Sequence, residues 1–258
     1  MEVAAVPQQR AEPAVAGRRF TRTRAPRVSV VIPTLNEELN LPGVLARLPR
    51  GLHEVIVVDG RSSDSSVAVV ARLRPDARLL EQPGRGKGEA LAMGFAAATG
   101  DIVVTLDADG STDPAEIPLY VAALEAGADM AKGSRFLAGG GSDDLTPLRR
   151  VGARGLTRLV NVLFGTGYTD LCYGYTAFWR DSLDRINVAQ GFEVEASMSV
   201  SAARAGLSVR EVPSFELARV HGTSKLRTVR DGTRVAAAIL GERVRRRPPV
   251  PDPARAAG

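Results

Sequence analysis

Two carboxylates separated by a single residue, Asp107 and Asp109, follow directly on the apolar run 103–106. Side chains alternate along an extended chain, so on a predicted buried strand both carboxylates would project to the same side. Carboxylate oxygens are the ligands that hard divalent cations prefer, and a cation would relieve the repulsion between two like charges. The pair therefore predicts a divalent-cation site at the carboxyl end of a strand.

The residues after this pair predict a loop that leads from the strand into a helix. Gly110 permits a tight turn, Asp113 is a suitable N-cap, and Pro114 fits the first helical position. In open α/β sheets ligands bind at the edge where strands pass into helices, which favours a functional site. A pair of this kind standing alone is more often a surface turn rich in Asp, Gly and Ser, and the apolar run before it shifts the interpretation towards function.

Polar groups also follow the other predicted strands. They are the segment 33–37, Asp59 and Lys87. Each one alone fits a structural role, namely a helix cap, an Asx turn and a solvated lysine. Together at one sheet edge they match the needs of a nucleoside diphosphate, which are polar contacts for the base and ribose, a cation for the phosphates and a basic group nearby.

The elements that position these groups alternate between strand and helix. Strands are predicted at 28–32, 54–59, 78–81, 103–106 and 129–132. Four helices lie between them: the first begins at residue 40, the second spans 64–73, the third ends at residue 100 and the fourth spans 114–125. Regular alternation predicts an α/β fold with a mostly parallel sheet covered by helices on both faces.

The pattern changes after the glycine-rich loop 139–144. Helices are predicted at about 148–164, 193–205 and 230–246, with extended segments near 175–179 and 207–211. We expect one domain over 28–246, in which 28–136 binds the nucleotide and 137–246 shapes the acceptor side. Residues 1–27 are predicted to be a disordered basic arm and 247–258 a disordered tail.

Composition narrows the class of protein. The 258 residues carry a formal net charge of +5, and the excess arginines lie at the two ends of the chain. Nucleic-acid binding is not expected, because only Phe20 lies among the N-terminal arginines. The single Cys172 fits a reducing compartment, and no run approaches the ~18 apolar residues of a membrane span. We expect a cytoplasmic protein whose arginine-rich ends could hold it at the inner face of an anionic membrane.

The chain resembles the family 2 glycosyltransferases with the GT-A fold over about residues 28–245. The resemblance lies in VVIPTLNE at 30–37, VVDGRSSD at 57–64, GKGEAL at 86–91 and DADG at 107–110. Three further segments resemble the dolichyl- and polyprenyl-phosphate sugar transferases, namely GSR at 133–135, GFEVE at 191–195 and RVHGTSKL at 219–226. The chain departs from the pattern of these families at two positions. Many relatives have an acid where this chain has Gly60, and dolichyl-phosphate mannose synthases have Gln where it has Ser111, so the identity of the sugar donor stays open.

The resemblance implies a role for each matching residue. Asp107 and Asp109 would hold Mg²⁺ or Mn²⁺ against the diphosphate of a nucleotide sugar. The residues implied to bind the donor are Pro33, Thr34, Glu37, Asp59, Lys87, Asp107 and Asp109. Those implied to bind phosphate are Arg135, Arg219, Ser224 and Lys225, and the basic residues of the second half add Arg149 or Arg150 as a candidate for binding the acceptor. Asp109, Arg135 and Glu195 are implied to act in catalysis, although Glu193 and Glu195 would point in different directions on one helix.

The chemistry of the acceptor separates two versions of this function. A hydroxyl acceptor needs a base such as Glu195 or Asp143, whereas a phosphate is already an anion near neutral pH and needs basic groups. The basic residues of the second half favour a polyprenyl phosphate, whose product would be the inverted glycosyl phosphate lipid. A hydroxyl acceptor, such as a natural product or polysaccharide precursor, stays as the alternative.

Other classes fit less well. A phosphatase of the haloacid dehalogenase type also has a strand followed by Asp-x-Asp-Gly-Ser, but its nucleophile loop normally follows the first strand. No G-x-G-x-x-G follows the first strand here, which disfavours a dinucleotide-binding domain. A non-catalytic binding module would be expected to lack one metal carboxylate, and both are present.

Overall fold

A seven-stranded sheet organises the chain in this computed structural model, which describes residues 24–186, 188, 194–222 and 228–244. The strands are β1 Val28–Thr34, β2 Glu54–Asp59, β3 Arg78–Glu81, β4 Ile102–Thr105, β5 Met130–Ser134, β6 Gly141–Ser142, β7 Thr176–Trp179, β8 Val209–Pro213 and β9 Phe215–Glu216. The helices are α1 Leu41–Arg47, α2 Ser66–Leu73, α3 Lys87–Ala97, α4 Ile117–Glu125, α5 Pro147–Phe164, α6 Val194–Arg204 and α7 Thr228–Val244, with 3₁₀ turns at Pro114–Glu116 and Arg180–Arg185.

The strand order in the large sheet is β3-β2-β1-β4-β7-β5-β8, and β6 pairs separately with β9. Strands β3, β2, β1 and β4 are parallel, β7 runs antiparallel to β4 and β5, and β8 is parallel to β5. This confirms the predicted mostly parallel sheet. The carboxyl ends of β1, β2 and β4 consequently meet at one edge.

Alternate residues of each central strand enter two different hydrophobic cores. Val30 and Ile32 of β1 pack with α1, α2 and α4 on one face, whereas Val31 packs with α3 and α6 on the other. All three side chains are fully buried, which explains why the strand is a continuous apolar run. The predicted cover of helices on both faces is confirmed.

Strand β4 ends at Thr105, two residues before the first carboxylate. The predicted reason for Asp107 and Asp109 facing one side, strand alternation, was therefore wrong, since both residues lie in the turn that follows. The predicted cap was right, because the Asp113 side chain accepts a hydrogen bond from the Ala115 N–H at the start of the Pro114–Glu116 turn.

The second half contributes a helical layer of α5, α6 and α7 around a third core that includes Val160, Val200 and Ile239. Helix α5 is capped by Thr146, which accepts from the Arg149 N–H, and ends at Gly165 in the left-handed region with φ 67°. These helices match the predicted ones, except that Glu193 and residues 245–246 lie outside the described residues.

The predicted arm and tail fall mostly outside the described residues, which exclude 1–23 and 245–258. The last part of the predicted arm was assigned wrongly, since Arg27 is held at the sheet. Its N–H donates to Asp101 at 2.9 Å, and its carbonyl accepts from Ile102 at 3.0 Å. Among the helices described, none is long and apolar enough to cross a membrane.

Candidate functional site

A cavity of about 780 Å³ opens at the carboxyl edge of the sheet and receives side chains from both halves of the chain. The predicted site residues that line it are Pro33, Thr34, Glu37, Lys87, Asp107, Asp109, Arg135, Arg149, Glu195 and Arg219. Parallel strands bring these groups together because their carboxyl ends share one edge, at which open α/β sheets bind ligands.

Asp109 is fixed in the turn after β4. Its Oδ1 accepts from the Ser111 N–H at 3.0 Å and from the Ser111 hydroxyl at 2.7 Å, and Gly110 adopts φ 79° to close the turn. Burial and the neighbouring Asp109 raise the pKa of Asp107 above its ordinary value, against the opposing effect of Lys87. This crowding of negative charge is what a site for a divalent cation requires.

Lys87 joins the two halves of the site. Its Nζ lies 2.6 Å from Oδ1 of Asp107 and 2.7 Å from Oε1 of Glu195, which comes from the first turn of α6. Burial opposes the charge on Lys87, but the two carboxylates raise its pKa well above the ordinary value, so it stays an ammonium ion. Glu195 thus faces the cavity, and Glu193 lies outside the described residues.

The segment 217–222 crosses the turn that holds the carboxylates. Arg219 places Nη2 2.5 Å from Oδ2 of Asp109 and Nη1 3.5 Å from Oε1 of Glu37. The Leu217 N–H donates to the Ser111 carbonyl, and His221 exchanges hydrogen bonds with the Asn40 side chain. Ser224 and Lys225 lie outside the described residues. We call Glu37, Lys87, Asp107, Asp109, Glu195 and Arg219 the edge cluster.

Arg135 was predicted to offer its guanidinium to a phosphate, and its observed contacts differ from that prediction. Its Nε and Nη2 donate to the two carboxylate oxygens of Asp170 at 2.7 and 3.0 Å, and its Nη1 donates to Glu216 at 3.1 Å. Its side chain is only 4% exposed. Every guanidinium nitrogen is engaged, because a buried cation must be paired. We call Arg135, Asp170 and Glu216 the buried cluster.

Asp59 also differs from its predicted role at the nucleoside. It is 5% exposed and does not line the cavity. Its carboxylate accepts from the Ser62 N–H at 3.0 Å and from the Ser62 hydroxyl at 2.6 Å, so it holds the loop after β2. The neighbouring Gly60 and Arg61 face the cavity instead.

Sequence reasoning missed Gln82, which lines the cavity and is 2% exposed. Its Nε2 donates to the Gly86 carbonyl at 3.1 Å, which ties the end of β3 to the loop before α3. The signal available in the sequence was its position, since Gln82 directly follows a predicted strand like the other edge residues.

The wall on the acceptor side is largely apolar. Leu145, Ala153, Leu156 and Val235 line it, from α5, α7 and the loop before α5. Arg149 of α5 and Asp231 of α7 are charged side chains of this wall, and Nη1 of Arg149 lies 2.7 Å from Oδ2 of Asp144. The alternative base considered above, Asp143, is exposed and does not line the cavity.

The carboxylate oxygens at the sheet edge are suitable ligands for Mg²⁺ or Mn²⁺. Within the described part of the chain, no group of three or more His, Cys, Asp or Glu side chains is arranged to hold a metal. Mg²⁺ usually keeps several waters and is bound by one or two carboxylates together with substrate phosphates. Asp107 and Asp109 supply that number of carboxylates next to a cavity large enough for a nucleotide.

Comparison with known proteins identifies one family and two relatives. The model of glycosyl transferase family 2 matches residues 29–186. A polyprenol monophosphomannose synthase of Mycolicibacterium smegmatis is 33% identical over 214 residues, which are 78% of this chain and 81% of that protein. An uncharacterized glycosyltransferase of Mycobacterium tuberculosis is 45% identical over 108 residues, and this match spans 42% of this chain and about half, 48%, of that relative.

Solved structures with the same fold include a glucosyl-3-phosphoglycerate synthase of Mycobacterium tuberculosis in complex with Mn²⁺, UDP and glucosyl-3-phosphoglycerate. It superposes with a TM-score of 0.69 and 26% sequence identity, covering 88% of this chain and 82% of that one. A further structure of the same synthase contains Mg²⁺ and UDP.

Proposed function

This chain belongs to glycosyl transferase family 2, and from that premise we propose that it transfers a hexose from a nucleotide diphosphate sugar, of the GDP-mannose or UDP-glucose type, to a polyprenyl phosphate. The observation that carries the proposal is the contrast between the two walls of one cavity. Carboxylates and cations line the sheet edge, whereas the side formed by α5 and α7 combines apolar side chains with the charged Arg149 and Asp231.

On the donor side, Asp107 and Asp109 would hold Mg²⁺ or Mn²⁺, which when bound stabilises the negative charge of the leaving diphosphate. Pro33, Thr34 and Glu37 line the part of the cavity beside β1, where the nucleoside would lie. Arg219 pairs with Asp109, and it would turn to the diphosphate oxygens once that carboxylate binds the cation.

On the acceptor side, an isoprenoid chain would bury its first carbons against Leu145, Ala153 and Leu156. Its phosphate would meet Arg149, with Arg219, Ser224 and Lys225 proposed as further partners. A phosphate monoester has a second pKa near ~6 and is already nucleophilic, so no protein base is required. A phosphate oxygen bonds to the anomeric carbon, the bond to the diphosphate breaks with its electrons on the leaving oxygen, and the configuration inverts.

Glu195 and Arg135 take supporting roles in this proposal. Glu195 holds Lys87 by an ion pair at 2.7 Å, which orients that ammonium beside Asp107. Arg135 shapes the wall of the cavity through Asp170 and Glu216, so we assign it a positioning role for the acceptor pocket in place of direct phosphate binding.

A hydroxyl acceptor is the second candidate, because Glu195 places a carboxylate inside the cavity where a base would be needed. Glu195→Gln separates the two. With a phosphate acceptor we expect most of the rate to survive, whereas loss of a general base would cost about 10²- to 10⁴-fold.

The function is tested by a donor and acceptor screen in the presence of Mn²⁺ or Mg²⁺. UDP- and GDP-sugars are offered with a short polyprenyl phosphate, with 3-phosphoglycerate or with no acceptor, and release of nucleoside diphosphate is measured together with the glycosylated product. We expect product only with the lipid phosphate. Turnover with 3-phosphoglycerate alone would favour the second candidate, and release without any acceptor would show hydrolysis.

We also propose peripheral contact with an anionic membrane. The arginine-rich ends lie largely outside the described residues, but the outer face of α5 carries Leu148, Val151 and Val162 at 63%, 70% and 76% exposure. Exposed arginines at 150, 154 and 158 lie along the same helix, a combination that suits an anionic lipid surface.

The membrane contact is tested by sedimentation with vesicles of neutral lipid and of neutral lipid containing phosphatidylglycerol. We expect salt-sensitive binding to the anionic vesicles that Val151→Glu weakens. Leu119→Glu, a change at the 54% exposed Leu119 of α4, serves as the matched control. Equal weakening by both variants would contradict the assignment of the surface to α5.

A further inference from the structure

Gly174 lies two residues before the first residue of β7, and its backbone is fixed at the end of the sheet. The Thr105 hydroxyl donates to the Gly174 carbonyl at 2.9 Å, which ties Gly174 to the last residue of β4. The flanking Tyr173 and Tyr175 are buried, and the Tyr175 ring stacks on Tyr120 with centroids 4.2 Å apart. Gly174 therefore has little freedom to move away from its neighbours in the cavity.

The space above Gly174 is filled by charged groups. A Cβ on Gly174 would lie 2.9 Å from Nζ of Lys87, 3.1 Å from Oδ2 of Asp107 and 3.2 Å from Oε1 of Glu195. These are the groups that form the two short ion pairs of Lys87. One added methyl group would therefore press on three members of the edge cluster at once.

Backbone conformation does not explain the glycine. The φ angle of Gly174 lies outside the left-handed region, so an alanine could adopt the same backbone there. The nearest obstacle is the end of the flexible Lys87 side chain, which can move at small cost to stability. Its movement would break contacts of 2.6 and 2.7 Å to Asp107 and Glu195.

We propose that Gly174 is a positioning residue whose missing side chain lets Lys87, Asp107 and Glu195 converge, and so sets the orientation of Asp107 toward a divalent cation. The effect on turnover rests on the proposed function, whereas the effect on cation binding does not. No role had been predicted for Gly174 from the sequence, because a lone glycine between two tyrosines carries no distinctive pattern.

The test replaces Gly174 by alanine and measures binding of Mn²⁺ alone by the loss of the free-ion signal in electron paramagnetic resonance. We expect affinity to fall about tenfold, the lower end of the effect of groups that orient metal ligands, with turnover reduced by a similar or larger factor. Gly167→Ala is the matched control, because a Cβ on Gly167 meets nothing within 4 Å and Gly167 does not line the cavity.

A double-mutant cycle with Lys87→Ala distinguishes positioning from a general structural defect. Without the Lys87 ammonium the closest contact at 2.9 Å is gone and only those to Asp107 at 3.1 Å and Glu195 at 3.2 Å remain, so Gly174→Ala should change Mn²⁺ affinity by a smaller factor in that background. An equal factor in both backgrounds, or wild-type Mn²⁺ affinity in Gly174→Ala, overturns the inference. If the wild type transfers no sugar but the cycle is non-additive, the inference stands and the proposed function fails.

Discussion

The edge cluster and the buried cluster contain the same kinds of ion pair in different surroundings. Lys87 and Arg219 pair with Asp107 and Asp109 at the open edge of the cavity, with side chains 25% and 23% exposed. Arg135 pairs with Asp170 and Glu216, where the arginine side chain is 4% exposed and Asp170 is fully buried. From this contrast we expect that the pairs at the edge exchange for a cation and a diphosphate, whereas the buried pairs are a fixed part of the wall.

The largest effect is expected at the edge cluster, from Asp109→Asn. The change removes a charge that would bind the cation but keeps the shape and the bonds to Ser111, so turnover should fall by about 10³-fold with an unchanged melting temperature. Steady-state release of nucleoside diphosphate measures the loss. Asp143→Asn, outside the cavity, should keep wild-type turnover. Activity that survives both Asp109→Asn and EDTA would end the metal hypothesis.

Arg135→Ala tests the buried cluster. Removing one partner leaves Asp170 and Glu216 as buried charges without their cation, so we expect a loss of about 3–5 kcal/mol in the free energy of unfolding. Urea denaturation followed by circular dichroism measures it. If stability is unchanged and only turnover falls, Arg135 acts on the substrate and the distinction between the two clusters fails.

Arg149 belongs to neither cluster, and Arg149→Ala tests whether its ion pair behaves like those at the edge or like the buried ones. It lies on the acceptor side and pairs with Asp144 near the surface. Losing a hydrogen bond to an anion costs about 1.5–3 kcal/mol, so kcat/KM for the polyprenyl phosphate should fall about 10- to 100-fold. The KM for the nucleotide sugar and the unfolding free energy should not change. A loss of stability like that of Arg135→Ala would place Arg149 with the fixed pairs instead.

The smallest expected effect is an increase in affinity for Mn²⁺, whereas the other variants lower activity or stability. Arg219 forms an ion pair with Asp109 that would compete with a cation, so Arg219→Gln should tighten the binding of Mn²⁺ alone by about 1.5- to 5-fold, in keeping with the modest strength of partly exposed ion pairs. Turnover should nevertheless decrease, since Arg219 would no longer reach the diphosphate. Calorimetric titration with Mn²⁺ provides the measurement, and weaker Mn²⁺ binding would mean that Arg219 supports the carboxylate and does not compete for it.

The sequence determined the edge of the site because its signals are local. Each polar segment follows an apolar strand, and a parallel α/β alternation brings such strand ends together whatever the loops contain. Lys87, Asp107 and Asp109 were placed correctly for this reason, even though β4 ends before the carboxylates. The Asx turn predicted for Asp59 comes close to the observed contact, in which its carboxylate accepts from the backbone N–H of Ser62, three residues on.

The tertiary structure alone decided which charged side chains stay available to bind a ligand. Arg135 meets Asp170 and Glu216 across 35 and 81 residues of chain, a pairing that no local pattern encodes. Glu195 and Gly174 join the site only because α6 and the segment before β7 pack against α3 and β4. A residue's type fixes the charge it can carry, but its counterions and free volume depend on long-range packing, and these decide whether the residue binds a ligand or supports the fold.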